Sequence, residues 1–126
     1  KKLSELEEAA YGRFKRLGER RGQVAGTMSG GEQQMLAMAR GLATDPAVLI
    51  LDELSMGLAP LIVEELYGVV AAIAEGGVSI VVVEQFARTV LGVSDRAAIM
   101  VHGKIRAVGA PAAIEAELSS AYLGGQ

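Results

Sequence analysis

A chain of 126 residues, half of them apolar (51%), only 4% aromatic and without tryptophan, is long enough for one domain and too short for two. Its 15 acidic against 12 basic side chains leave a net charge of −3, which argues against a general nucleic-acid binder, and zero cysteines fit a reducing compartment. The mean hydropathy of +0.34 hides no spanning helix: the longest clean run, Val78 to Val83, is far short of the ~20 residues a span needs, and no signal peptide is visible.

These priors describe a soluble cytosolic domain. The sequence opens on Lys1 and not on methionine, so it reads as an excerpt or a processed product. Ser4 with Glu7 forms a capping box for a first helix whose apolar positions are Leu6, Ala10, Phe14 and Leu17, ended by Gly18. The cluster Arg13, Lys15, Arg16, Arg20 and Arg21 is the one basic feature. Without interleaved aromatics it reads as a solvated face rather than a polyanion site. Residues 19–28 read as a loop. A second capping box, Ser29 with Glu32, opens a helix striped by Met35, Leu36, Met38, Ala39 and Leu42 and stopped by Asp45-Pro46.

Ala47 to Leu51 is a short apolar strand. Pro60 suits the first turn of a helix with Ile62, Leu66, Val69 and Ile73 on one stripe, closed by Gly76-Gly77. Val78 to Val83 reads as the next buried strand and Phe86 to Leu91 as a short helix. Ala97–Val101 and Ile105–Val108 flank a hairpin turn at 102–104, and Pro111 starts a last helix. Strands alternating with helices imply an α/β fold with parallel βαβ units and an antiparallel hairpin at one edge. Strands so apolar need cover on both faces, and any face left bare would favour self-association.

Two places carry chemistry. Asp52 and Glu53 stand just past the C-terminal end of a buried strand, where ligands of open α/β sheets collect. Alone, such a pair is as readily an acidic turn. Ser29-Gly30-Gly31-Glu32 sits at a helix start, where bare backbone amides, the helix dipole and a hydroxyl favour an anion. Alone, it is as readily a plain capped helix. Together, in this order and one helix apart, the two are far more specific.

The run Met28-Ser29-Gly30-Gly31-Glu32-Gln33-Gln34, the strand Val48–Asp52 followed by Glu53, the segment Met56-Gly57-Leu58-Ala59, and Gln85 after Val-Val-Glu resemble the C-terminal half of ABC-transporter ATPase subunits. The wording is most similar to the ATP-binding subunits of branched-chain amino-acid importers. The resemblance implies the C-terminal half of a P-loop-type ABC ATPase domain. Residues 1–45 would be the end of a helical subdomain with the signature motif, and residues 46–126 the C-terminal part of the nucleotide-binding core. It implies Asp52 as the Mg²⁺ residue, Glu53 and Gln85 as catalytic residues, and Ser29, Gly30, Gly31 and Glu32 as contacts to ATP held by a second subunit.

The implied partners are a second ATPase subunit, packed head to tail, and transmembrane permease subunits, with no nucleic acid. The implied location is the cytoplasmic face of the cell membrane. Three positions depart from the family pattern: Leu54 in place of proline, Ala59 in place of the aspartate, and Gln85 in place of histidine. No G-x-x-x-x-G-K-[ST] phosphate loop occurs in these residues, so the chain by itself is expected to be inactive. Two other readings stay open: a non-catalytic interaction module cut from such an ATPase, and a phosphoacceptor receiver domain using Asp52 and Lys104.

Overall fold

A computed structural model of the chain describes residues 2–124 and divides into two compact units, Lys1–Glu84 and Gln85–Gln126. The first unit runs α1 (Leu3–Arg13), α2 (Lys15–Glu19), a 3-10 turn (Ala25–Thr27), α3 (Gly30–Leu42), β1 (Val48–Asp52), α4 (Pro60–Glu75) and β2 (Ser79–Val83). The second runs α5 (Ala87–Leu91), β3 (Ala97–Val101), β4 (Lys104–Gly109) and α6 (Pro111–Gly124).

The expected single N-terminal helix is two. It begins at Leu3, where Glu5 and not Glu7 reaches back, its carboxylate accepting the Lys2 N–H at 3.1 Å. The helix then breaks at Phe14, whose backbone (φ −119°, ψ 82°) is not helical. The break lets both Phe14 and Leu17 be buried. Burying each contributes about 1.5–3 kcal/mol. A helical hydrogen bond lost at the break costs only about 0.5–1.5 kcal/mol. Packing therefore overrides the continuous stripe.

β1 and β2 pair in parallel, Val48 opposite Ser79 and Asp52 opposite Val83, with α4 as the crossover. Pro60 occupies the first turn of α4, where its missing N–H costs nothing. Gly76 caps the helix and Gly77 takes φ +107°, a conformation that suits glycine. Met35, Met38 and Leu42 of α3, Leu51 of β1, and Leu66, Tyr67, Val70 and Ile73 of α4 are all buried. The strands are not buried on both faces as their composition suggested. Val48, Ile50, Val81 and Val83 are exposed on alternate positions, Ile50 at 67%, so one face of this ribbon is apolar and bare.

In the second unit β3 and β4 form the expected antiparallel hairpin, Val101 opposite Lys104, with a bulge between Ile99 and Met100. The turn is two residues, His102 (φ +48°) and Gly103 (φ +77°). Positive φ at both positions is the turn geometry that matches strand twist. α6 packs on α5, β3 and β4, with Ile114 and Leu91 buried.

Candidate functional site

Ser29 caps α3 as its sequence position predicts. The Glu32 N–H donates to Ser29 Oγ at 3.3 Å, and the Ser29 hydroxyl donates to Glu32 Oε1 at 2.9 Å. The Gly30 and Gly31 amides, first in the helix, have no intrahelical acceptor by their position. Ser29 and Gly30 are exposed.

The two glycines also serve packing, which the sequence reading missed. A Cβ on Gly31 would meet Ile62 Cγ2 of α4 at 2.6 Å, and one on Gly30 would meet Leu58 Cδ2 at 2.9 Å. The start of α3 thus lies against the loop and helix that follow β1.

Glu32 points inward. It is 5% exposed, and its Oε2 meets Arg20 Nε at 2.7 Å as an ion pair, without the alignment of a hydrogen bond. The basic cluster is largely used in this way. Arg16 pairs with Glu65 at 2.9 Å, and Arg21 pairs with Glu7 at 3.3 Å while stacking on the Tyr11 ring. Three of its five cations meet carboxylates of their own chain, which fits a structural face.

At the end of β1, Asp52 is exposed and Glu53 half-buried. Glu53 holds φ +51°, the left-handed region that costs a non-glycine residue about 1–3 kcal/mol and survives only where neighbours over-determine it. The neighbours are identifiable. The Glu53 N–H donates to the Val83 carbonyl at 2.8 Å, extending the β1–β2 ladder by one residue, and the Glu53 carbonyl accepts from the Met56 N–H at 3.2 Å.

Leu54, which stands in place of proline, is 4% exposed, and its carbonyl accepts the Gln34 side-chain amide at 3.2 Å. Gln34 belongs to α3, so this bond ties the signature helix to the loop behind Glu53. Ser55 is held by Glu84: its N–H donates to Oε1 at 3.0 Å and its hydroxyl to Oε2 at 2.8 Å. The buried Tyr67 hydroxyl of α4 donates to the same Oε1. Burial, then the facing Glu84 carboxylate, raises the Tyr67 phenol well above its usual pKa, so it remains a donor at any ordinary pH.

Ser55, Tyr67 and Glu84 were not singled out from sequence, and Gln34 was named only as the end of the run that begins at Met28. Tyr67 lies beside the stripe read on α4, and Glu84 reads as a lone carboxylate after a strand. The signal that could have found Glu84 is its position one residue past β2, the place that Glu53 holds after β1.

Gln85 opens the second unit and is exposed. Among the described residues no group of three or more His, Cys, Asp or Glu side chains gathers as a metal site, and no helix is long and apolar enough to cross a membrane. One exposed strand-end carboxylate does fit Mg²⁺, which keeps several waters and takes its other ligands from phosphates. The receiver reading fails. It requires a strand near the N-terminus, where α1 and α2 lie, and it requires Lys104 to follow a parallel strand, whereas Lys104 begins β4 of an antiparallel hairpin.

The sequence profile of the ABC transporter family matches residues 5–55. The high-affinity branched-chain amino acid transport ATP-binding protein BraG of Pseudomonas aeruginosa is 45% identical over 114 residues, 89% of this chain and 49% of BraG. In fold, a solved ATP-binding cassette of an ABC transporter superposes with a TM-score of 0.85 at 25% identity, over 99% of this chain and 51% of that one. The cbiO1 protein of Clostridium perfringens, part of the ABC transporter complex cbiONQ, superposes with a TM-score of 0.80 at 26% identity, over 94% of this chain and 48% of its own. The chain spans about half the length of the relatives it matches. In sequence and in fold it is similar to the ATP-binding proteins of ABC transporters, over that half of their length.

Proposed function

We propose that this chain is part of the ATP-binding and ATP-hydrolysing subunit of an ABC importer, energising uptake of branched-chain amino acids. The observation that carries the reading is the tie between its two chemical segments. Gln34, five residues into the helix begun by Ser29-Gly30-Gly31, holds the loop carrying Glu53, beside Asp52. The solute follows from the likeness to BraG alone. Residues 1–45 belong to the end of a helical subdomain and residues 46–126 to the nucleotide-binding core.

Asp52 would hold Mg²⁺, which when bound would offset the charge of the ATP phosphates. Glu53 accepts a proton from the attacking water, the role that a fixed, partly exposed carboxylate at a strand end can fill. The Gln85 amide hydrogen-bonds a phosphate oxygen but takes up no proton at neutral pH.

Ser29, Gly30 and Gly31 face the nucleotide of a second ATPase subunit packed head to tail. Glu32 enters that site through the Ser29 hydroxyl it holds. Permease subunits carry the solute, and the ATPase lies on the cytoplasmic face of the membrane through them. The 126 residues alone contain no phosphate loop, so by themselves they bind Mg-ATP no tighter than millimolar and do not turn it over.

Glu53→Gln in the ATP-hydrolysing full-length protein tests the reading. Turnover should fall by about 10²–10⁴-fold, as for loss of a positioned acid–base group, while ATP binding persists. Near-normal turnover would overturn the assignment.

A further inference from the structure

The strain at Glu53 raises the question of what holds it. Its φ of +51° is set by the residues on either side, and each is fixed from a different element. β2 fixes the Glu53 amide through Val83, α3 fixes the Leu54 carbonyl through Gln34, and Glu84 fixes both donors of Ser55. Glu84 is the hub. Its carboxylate accepts three hydrogen bonds, two from Ser55 and one from Tyr67, and it stands directly after β2 and directly before Gln85 in the chain.

A carboxylate is the one side chain of this size that accepts at both oxygens. A glutamine here would keep one acceptor oxygen and turn the other into an NH2, so the Ser55 hydroxyl would have to accept instead of donate. Only removal of both oxygens, as in Glu84→Ala, strips all three bonds. Tyr67, buried and locked in its protonated form, adds a contact from the middle of α4 and keeps Glu84 from swinging to solvent.

We infer that Glu84 is a positioning residue: with Tyr67 it clamps Ser55 and so holds Glu53 in its left-handed conformation at the end of β1. The inference rests on the reading of Glu53 as the residue that activates water. It adds that the chemistry depends on a residue that touches neither nucleotide nor water. Displacing a reacting group by about 1 Å can cost about 10²-fold in rate, so a loosened Glu53 lowers kcat and leaves nucleotide affinity nearly intact.

Two measurements test it. The first uses this chain and native-state amide exchange. Glu84→Ala should speed exchange at the Ser55 amide by about tenfold or more, because its acceptor, Glu84 Oε1, is removed. Unchanged exchange at Ser55 would overturn the clamp itself.

The second uses the ATP-hydrolysing full-length protein. Glu84→Ala should lower kcat by about 10–10²-fold with KM for ATP within about twofold. Ser55→Ala, which keeps the backbone bond to Glu84 and removes only the hydroxyl, should lower kcat by a smaller factor in the same direction. A normal kcat in both variants, or a raised KM with kcat unchanged, would overturn the positioning role. A failure of the water-activation reading shows separately, as normal turnover in Glu53→Gln with the Ser55 exchange result left standing.

Discussion

Ser29 and Glu53 lie at the ends of consecutive elements of the first unit and are held by opposite means. Ser29 is exposed and its hydrogen bonds are local: its cap partner is three residues away, and that partner, Glu32, is in turn met by Arg20. Glu53 is fixed by residues 20 to 30 positions from its own loop, on α3 and at the end of β2. A locally built site tolerates change in the rest of the fold, and a braced one reports on it. The difference teaches which half of the proposed chemistry is sensitive to packing far from it. Where the two regions meet, at the glycines packed on Leu58 and Ile62, the contrast can be broken outright.

Gly31→Ala should have the largest effect. The new methyl would lie 2.6 Å from Ile62 Cγ2, so α3 and α4 must separate. Overpacking of this kind costs about 1–3 kcal/mol. The better helix propensity of alanine, up to about 1 kcal/mol, offsets part of it. Urea unfolding should show the loss. Amide exchange at Ser55 should quicken too, because Gln34 on the displaced helix no longer reaches Leu54. Unchanged exchange there would show the two regions to be independent.

Ser29→Ala removes the cap alone and should cost about 1 kcal/mol, within the usual 0.5–2 for such caps. The braced loop should not respond. Protection at Ser55 that falls along with the cap would contradict the local character of the α3 start.

Arg20→Ala should cost less, up to about 1 kcal/mol, because Arg20 is half exposed and its pair is partly screened. The informative variant is the double change with Glu32→Gln. A neutral amide at position 32 no longer needs the guanidinium, so most of the loss should return. A double-mutant cycle with no coupling would mean that Arg20 does not hold Glu32 in place.

The local site was the legible one. Ser-x-x-Glu before an apolar stripe gives the observed cap at Ser29 with Glu32, though the same pattern at Ser4 with Glu7 does not. A two-residue turn between short apolar runs likewise states the hairpin at His102-Gly103. What escaped was set by distance along the chain. Phe14 breaks a helix that its spacing would continue, and its side chain is buried. Arg20 belongs to a run that reads as solvated, yet it neutralises a carboxylate twelve positions on. Glu84 and Tyr67 meet Ser55 only once α4 has returned the chain beside β1. No periodicity records such a meeting.

The smallest effect separates stability from chemistry at Glu53 itself. Glycine occupies the left-handed region without the Cβ clash that a glutamate suffers there, a relief of about 1–3 kcal/mol. It also gives up more freedom on folding, about 0.5–1 kcal/mol. Among the described residues the half-buried Glu53 carboxylate accepts no hydrogen bond from the fold, while the backbone bonds to Val83 and Met56 survive the substitution. Glu53→Gly should therefore unfold at the same urea concentration or slightly higher, a gain of up to about 1 kcal/mol, while abolishing turnover in the full-length protein. A clear loss of stability would mean that the glutamate is held there for the fold. Strain kept at a position where glycine would fold at least as well is the signature of a side chain retained for its chemistry.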